Sequence, residues 1–230
     1  MNDRQRLSRP ARWRAPALAI GIAAAVWLYL FLVVNVLLLL SGVAARVAGN
    51  DPRLHDDNWP GIANLRMVDD HLLVGSQPSV DEYRALAARS VTLVIDLRAG
   101  SGPGRDDEAQ LATLGVRYAR VPIVDGRAPT PAQARRFLEL VESADGRVYA
   151  HCGGGVGRST TIAASYLAAK GEDPSLLEQL ATGPPTLEQV WYVATIDAGK
   201  PDHGISPAIA IVSRTVDMPR TAFNYLTSLL

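Results

Sequence analysis

Between Arg14 and Arg46 the chain has no charged side chain. The run Ala15–Ala45 contains "LAIGIAAAVWLYLFLVVNVLLLLSGVAA" and is apolar on every side, with Asn35 and Ser41 as its polar interruptions. A helix of about 20 such residues crosses the hydrocarbon core of a bilayer. This run is longer, so it can tilt or leave its ends in the interface. The apolar core of a cleaved signal peptide has about 7–15 residues. Val43-Ala44-Ala45 would serve as a cleavage site, but the length points to a retained transmembrane helix over residues 15–45.

Charge is distributed around that helix unevenly. Arg4, Arg6, Arg9, Arg12 and Arg14 precede it against the single acid Asp3, and only Arg46 and Arg53 follow closely. By the positive-inside rule, the basic tail (residues 1–14) lies in the cytoplasm and the rest of the chain beyond the membrane. The whole chain has a net charge of zero, so the part after the helix is net acidic. An acidic domain is a poor partner for nucleic acid. Cys152 is the one cysteine, which rules out a disulfide within the chain.

Residues 46–66 hold turn formers and no sustained period, and read as a linker. From Met67 onward strands and helices alternate. "HLLVG" (71–75), "VTLVIDL" (91–97), "VRYARVPI" (116–123) and "RVYAH" (147–151) read as strands, the second a continuous apolar run of the kind buried in parallel sheets. Ser79 with Glu82, Thr130 with Gln133 and Thr186 with Gln189 have capping-box spacing and predict helix starts. Pro131 suits the first helical position. "DEAQLATLG", "STTIAASYLAAKG" (159–171) and segments near 174–182 and 186–198 read as further helices. The alternation predicts an α/β fold: a central, mostly parallel sheet flanked by helices, spanning residues 67–200. Residues 201–230 form a C-terminal segment without an evident role, and "SPAIAIVS" within it is too short to span a membrane.

The chemistry concentrates in "HCGGGVGRSTT", residues 151–161, between a strand and a helix. A packing cysteine sits among apolar neighbours. Cys152 is instead followed by Gly153, Gly154, Gly155, Val156 and Gly157, then Arg158 and Ser159. Backbone N–H groups of such a loop can face one centre, and the following helix adds the positive end of its dipole. Arginine supplies a planar fork of donors suited to phosphate. Two nucleotide-binding patterns fail: Cys152 stands where a Walker loop needs its first glycine and Arg158 where it needs lysine, and a G-x-G-x-x-G match from Gly153 also meets Arg158.

His151-Cys152, Gly155, Gly157, Arg158 and Ser159 resemble the signature of the cysteine-dependent protein-tyrosine and dual-specificity phosphatases. The likeness extends over roughly residues 67–195 and is closest to the compact atypical dual-specificity type, which also shows something like "GSQPS" and "VIDLR" upstream. It implies an enzyme that needs no metal or other cofactor and works through a phosphocysteine intermediate. Cys152 would attack phosphorus as a thiolate, a form favoured by a helix N-terminus and a nearby cation. Arg158 and the amides of residues 153–157 would hold the phosphate oxygens. Ser159 would assist the departing sulfur, and His151 would support the loop from behind. The superfamily draws its proton donor from an upstream aspartate. Asp125 in "VPIVDGRAPTP" fits best, ahead of Asp96, Asp106 and Asp107. In the same frame, Gln189 could position water or simply cap its helix, and Arg98 could brace the loop or sit on the surface. His55, His71 and His203 are scattered and lack metal-ligand spacing.

The resemblance puts a protein phosphotyrosine substrate first. Phosphoinositide-cleaving members place lysines in the loop, and "GGGVG" has none. A lipid phosphate of the phosphatidylglycerophosphate kind stays open, because the transmembrane helix would hold the site near lipid. So do inositol phosphates, small phosphomonoesters, a catalytically silent module that captures phosphorylated partners, and sulfurtransferase or arsenate-reductase chemistry.

Overall fold

The computed structural model describes residues 11–54, 58–100 and 105–227. Most of the basic tail, His55 and the side chain of Asp106 lie outside what it describes. The first helix, α1, runs over Ala11–Val47, somewhat longer at both ends than the expected 15–45. It is long and apolar enough to cross a membrane.

A five-stranded mixed sheet follows, built from β1 (Arg66–Met67), β2 (Leu72–Gly75), β3 (Val91–Arg98), β4 (Arg117–Ile123) and β5 (Arg147–His151) in the order β1-β2-β5-β3-β4. β2, β5, β3 and β4 pair in parallel, and only the short edge strand β1 is antiparallel. Between the strands lie α2 (Val80–Ala87), α3 (Arg105–Thr113) and α4 (Pro131–Glu142), and after β5 come α5 (Arg158–Ala169), α6 (Leu176–Thr182), α7 (Leu187–Thr195), α8 (Pro207–Val216) and α9 (Met218–Thr227). The three expected capping boxes all form.

The two-residue period of the strands sorts their side chains between two cores. Leu72, Val74, Leu93, Ile95, Leu97, Val148 and Ala150 face one side, against Phe137 of α4 and Ile162 of α5. Leu73, Val94 and Tyr149 face the other, against Tyr83 and Leu86 of α2. That second core also takes in Ile62 and Leu65, with Leu54 and Trp59 packed on it. The expected linker over 46–66 therefore contributes to the core. Its apolar residues are too sparse to show a period, but Leu54, Trp59, Ile62 and Leu65 pack into that core one by one.

The far end of the chain is likewise integrated. α8 packs on α7, and α9 on α8. Asp217, buried after α8, accepts from the Leu187 amide at the start of α7 and from the Ser213 hydroxyl. Glu188 is buried too, accepting from the Ala128 amide and from Arg214. These polar contacts, invisible to hydropathy, bind residues 201–227 to the domain.

Arg98 is a buried residue at the end of β3 rather than a surface one. Its guanidinium donates twice to Asp96, each bond 2.9 Å, and once to Asp107 at 2.6 Å. Asp96 is fully buried and also accepts from Tyr118 at 2.9 Å. Burial pushes its carboxyl up, but the hydrogen bonds from Arg98 and the positive charge nearby together hold it below its ordinary value. Removing one partner of such a pair leaves a buried charge uncompensated. Arg98→Met should cost about 3–5 kcal/mol of stability in urea unfolding. Adding Asp96→Asn should recover part of that loss, because the stranded charge is then gone.

Candidate active site

β5 is the central strand, and the loop that carries Cys152 leaves from its carboxyl end. In parallel sheets that end is where ligands bind. The loop is fixed from several directions. Ser76 and Gly154 form an isolated antiparallel bridge, and the Gln77 amide donates to the Gly153 carbonyl at 3.1 Å. Asn64 donates from its side chain to the Gly154 carbonyl at 2.8 Å. Gly155 has φ +71°, and a Cβ there would stand 2.6 Å from the Ser76 nitrogen, so no other residue fits without moving backbone. Arg98 also donates to the Gln77 side chain, which ties the buried Asp96–Arg98 pair to the segment that grips the loop.

Cys152 is 3% exposed. Its Sγ accepts from the Gly155 amide at 3.3 Å and lies 3.6 Å from Ser159 Oγ. α5 begins at Arg158, so the helix's positive end points at the same place. His151 is fully buried behind the loop, stacked on Tyr149. Its Nδ1 lies 3.2 Å from the Cys152 carbonyl, which can only accept, so Nδ1 bears the proton. Nε2 then accepts from Tyr83 at 3.4 Å. Burial lowers the His151 pKa despite Asp96 nearby, which favours the neutral ring.

Arg158 donates from Nη1 to the Ile123 carbonyl at 3.3 Å, and Nη2 lies 3.1 Å from Asp125 Oδ1. Its Nε is buried without a hydrogen-bond partner. Asp125 stands just beyond β4, and its side chain is 42% exposed. Of the rival acids, Asp96 is engaged inside β3 and Asp107 on Arg98.

A cavity of about 270 Å³ is lined by Cys152, Gly154, Val156, Gly157 and Arg158, together with Asp125 from the loop after β4 and Gln189 from the first turn of α7. Two further residues in its wall, Pro184 and Arg220, have no sequence motif to mark them. Arg220 comes from α9 and donates to the Pro185 carbonyl at 3.3 Å. Gln189 both caps α7 and touches the loop: its Oε1 accepts from the Thr186 amide at 3.0 Å, and a Cβ on Gly157 would meet it at 2.7 Å. Among the described residues, no three His, Cys, Asp or Glu side chains cluster as a metal site would need.

A family model described as "Polymorphic toxin system, DSP-PTPase phosphatase" matches residues 71–172. The beta-lactamase hydrolase-like protein of Agrobacterium fabrum is 30% identical over 100 residues, or 41% of this chain and 23% of that protein. The dual specificity protein phosphatase CDC14C of Homo sapiens is 34% identical over 61 residues, 26% of this chain and 14% of that protein. The chain thus spans less than a quarter of either relative's length. Among solved structures, TpbA of P. aeruginosa is 21% identical with a TM-score of 0.51, covering 69% of this chain and 95% of its own. The core catalytic domain of the PP-IP phosphatase SIW14 from S. cerevisiae is 16% identical with a TM-score of 0.51, covering 60% and 88%. At those identities the two structures speak for the fold alone. The family model, the sequence relatives and the strand–glycine loop–helix around Cys152 together support the cysteine-dependent protein-tyrosine and dual-specificity phosphatase superfamily for residues 71–172.

Proposed function

We propose that this protein hydrolyses phosphomonoesters, without a metal, through a phosphocysteine intermediate on Cys152. One observation carries the reading: Cys152, Arg158, Asp125 and the glycine loop line a single cavity. The Cys152 thiolate attacks phosphorus, forming a P–S bond as the P–O bond to the leaving group breaks. Asp125 gives its proton to the departing oxygen. Arg158 takes two phosphate oxygens on its fork, and the amides of residues 153–157 take the remaining charge. Water then attacks phosphorus, its proton passes to Asp125, and the sulfur leaves with a hydrogen bond from Ser159. His151 touches no substrate in this scheme; it holds the Cys152 carbonyl.

Protein phosphotyrosine is the substrate class we place first, in line with the dual-specificity protein phosphatases among the sequence relatives. A lipid phosphomonoester is the second reading. It is favoured by Pro184, which lines both the cavity and a groove against Leu38, Leu39, Gly42 and Val43 of α1. We also infer, from the arginines before α1, that the domain lies on the far side of the membrane from the N-terminus.

The test is phosphate release by the full chain in detergent, from a phosphotyrosine peptide, phosphatidylglycerophosphate and inositol phosphates. Cys152→Ser should abolish turnover on the preferred substrate, and a folded wild type inactive on all of them would overturn the proposal. Asp125→Asn should lower kcat by about 10²–10⁴-fold, since a positioned acid contributes that much. Arg220→Ala should raise KM more than it lowers kcat, because the residue sits in the cavity wall away from the sulfur. A reporter fused after residue 230 should be active only in its extracytoplasmic form.

A further inference from the structure

α8 buries Ala210, Ser213 and Val216 against the domain. Its opposite face is Ala208, Ile211, Val212 and Thr215, all exposed, a helical stripe without a charge. Ile211 is 65% exposed and Val212 53%, and Met218 at the start of α9 extends the stripe at 52%. Arg214 lies on the flank, drawn aside to Glu188.

The position of this stripe relative to α1 says what covers it. The Trp27 indole N–H donates to the Thr215 carbonyl at 2.6 Å, in the last turn of α8. Helix ends leave such carbonyls without partners inside the helix. α1 and α8 therefore meet at the level of Trp27. The part of α1 preceding that level from Pro16, where the span begins, rises only about 17 Å. A bilayer core is about 30 Å thick. If α1 crosses it, the hydrocarbon extends past Trp27 and reaches the end of α8. Leu28, Leu30 and Leu32 of α1, just beyond Trp27, are exposed as well.

We propose that α8 is a second membrane contact, an amphipathic helix whose Ile211–Val212–Thr215–Met218 face is immersed in the acyl chains of the domain-side leaflet. One apolar face with the charge held to the side is the pattern of a lipid-contacting helix. The proposal rests on α1 spanning the bilayer and is independent of the catalytic reading. It places the cavity near the lipid surface, since Arg220 of the cavity wall is two residues beyond Met218.

The test uses the full chain with Cys152→Ser, which leaves no native thiol. Single cysteines are introduced by Ile22→Cys, Ile211→Cys, Val212→Cys and Asp81→Cys, the last an exposed site on α2 across the sheet from α4 and α5. Each is labelled with an environment-sensitive fluorophore and reconstituted in phosphatidylcholine vesicles containing phosphatidylglycerol. Lipids with a nitroxide at the headgroup, or shallow or deep in the acyl chain, then act as quenchers. The label at 22 should be quenched by the acyl-chain nitroxides. Labels at 211 and 212 should be blue-shifted and quenched several-fold more by the acyl-chain nitroxides than the label at 81. Quenching at 211 and 212 no stronger than at 81 overturns the proposal. So does a blue shift there that ignores nitroxide lipid and fades when protein is diluted in the membrane, which would mean a second copy covers the stripe. Absence of quenching at 22 overturns it at its premise.

Discussion

The site depends on one close approach of backbone to backbone, where the glycine loop meets the end of β2. Gly155 turns through a positive φ against Ser76, and the Ser76–Gly154 bridge closes beside it. That contact aims the Gly155 amide at the Cys152 sulfur. The pairing of β2 with β5 sets the distance between the two chain segments, so the register of the sheet becomes the geometry of the loop. The buried Asp96–Arg98 pair reaches the same point through Gln77, which ties a charged network to the glycine loop. Isolated, a buried ion pair is weak support for stability. Here it orients a side chain that orders the loop.

Much of this was legible in the sequence. Strand periods, capping boxes and the Cys-x5-Arg spacing are local signals, and each maps to a local structure. The cavity-lining loop, and Asp125 placed against Arg158, follow from those signals once the strands are parallel. The residues that were not legible act at long range. Arg220 reaches the cavity from a helix more than sixty residues downstream of Cys152, and its position depends on Asp217 and Glu188, two buried acids. Arg98 read equally well as a surface residue, because only the tertiary structure brings Asp107 and Gln77 to it. The segment 54–65 lacked a period since it packs by single residues, Trp59, Ile62 and Leu65, and not by a continuous face.

Gln189 illustrates why two readings of one residue need not compete. Capping fixes its side chain through the Thr186 amide, and the capped rotamer is the one that meets Gly157 and lines the cavity. A local motif thereby determines a feature of the site. The same holds for His151, where burial favours the neutral ring and neutrality lets one nitrogen donate to the loop while the other accepts from Tyr83.

α1 also meets the domain through a glycine: a Cβ on Gly42 would stand 2.6 Å from the Leu180 carbonyl, and Arg46 donates to the carbonyls of Ala181 and Thr182. These are the last residues of α6, and Gly183 and Pro184 follow directly, the first pressed against Val156 of the loop and the second in the cavity wall. The bilayer-length helix and one wall of the cavity are thus joined by a lever a few residues long. Any shift of α1 against the domain would therefore bear on that wall, because so few residues lie between them to absorb it.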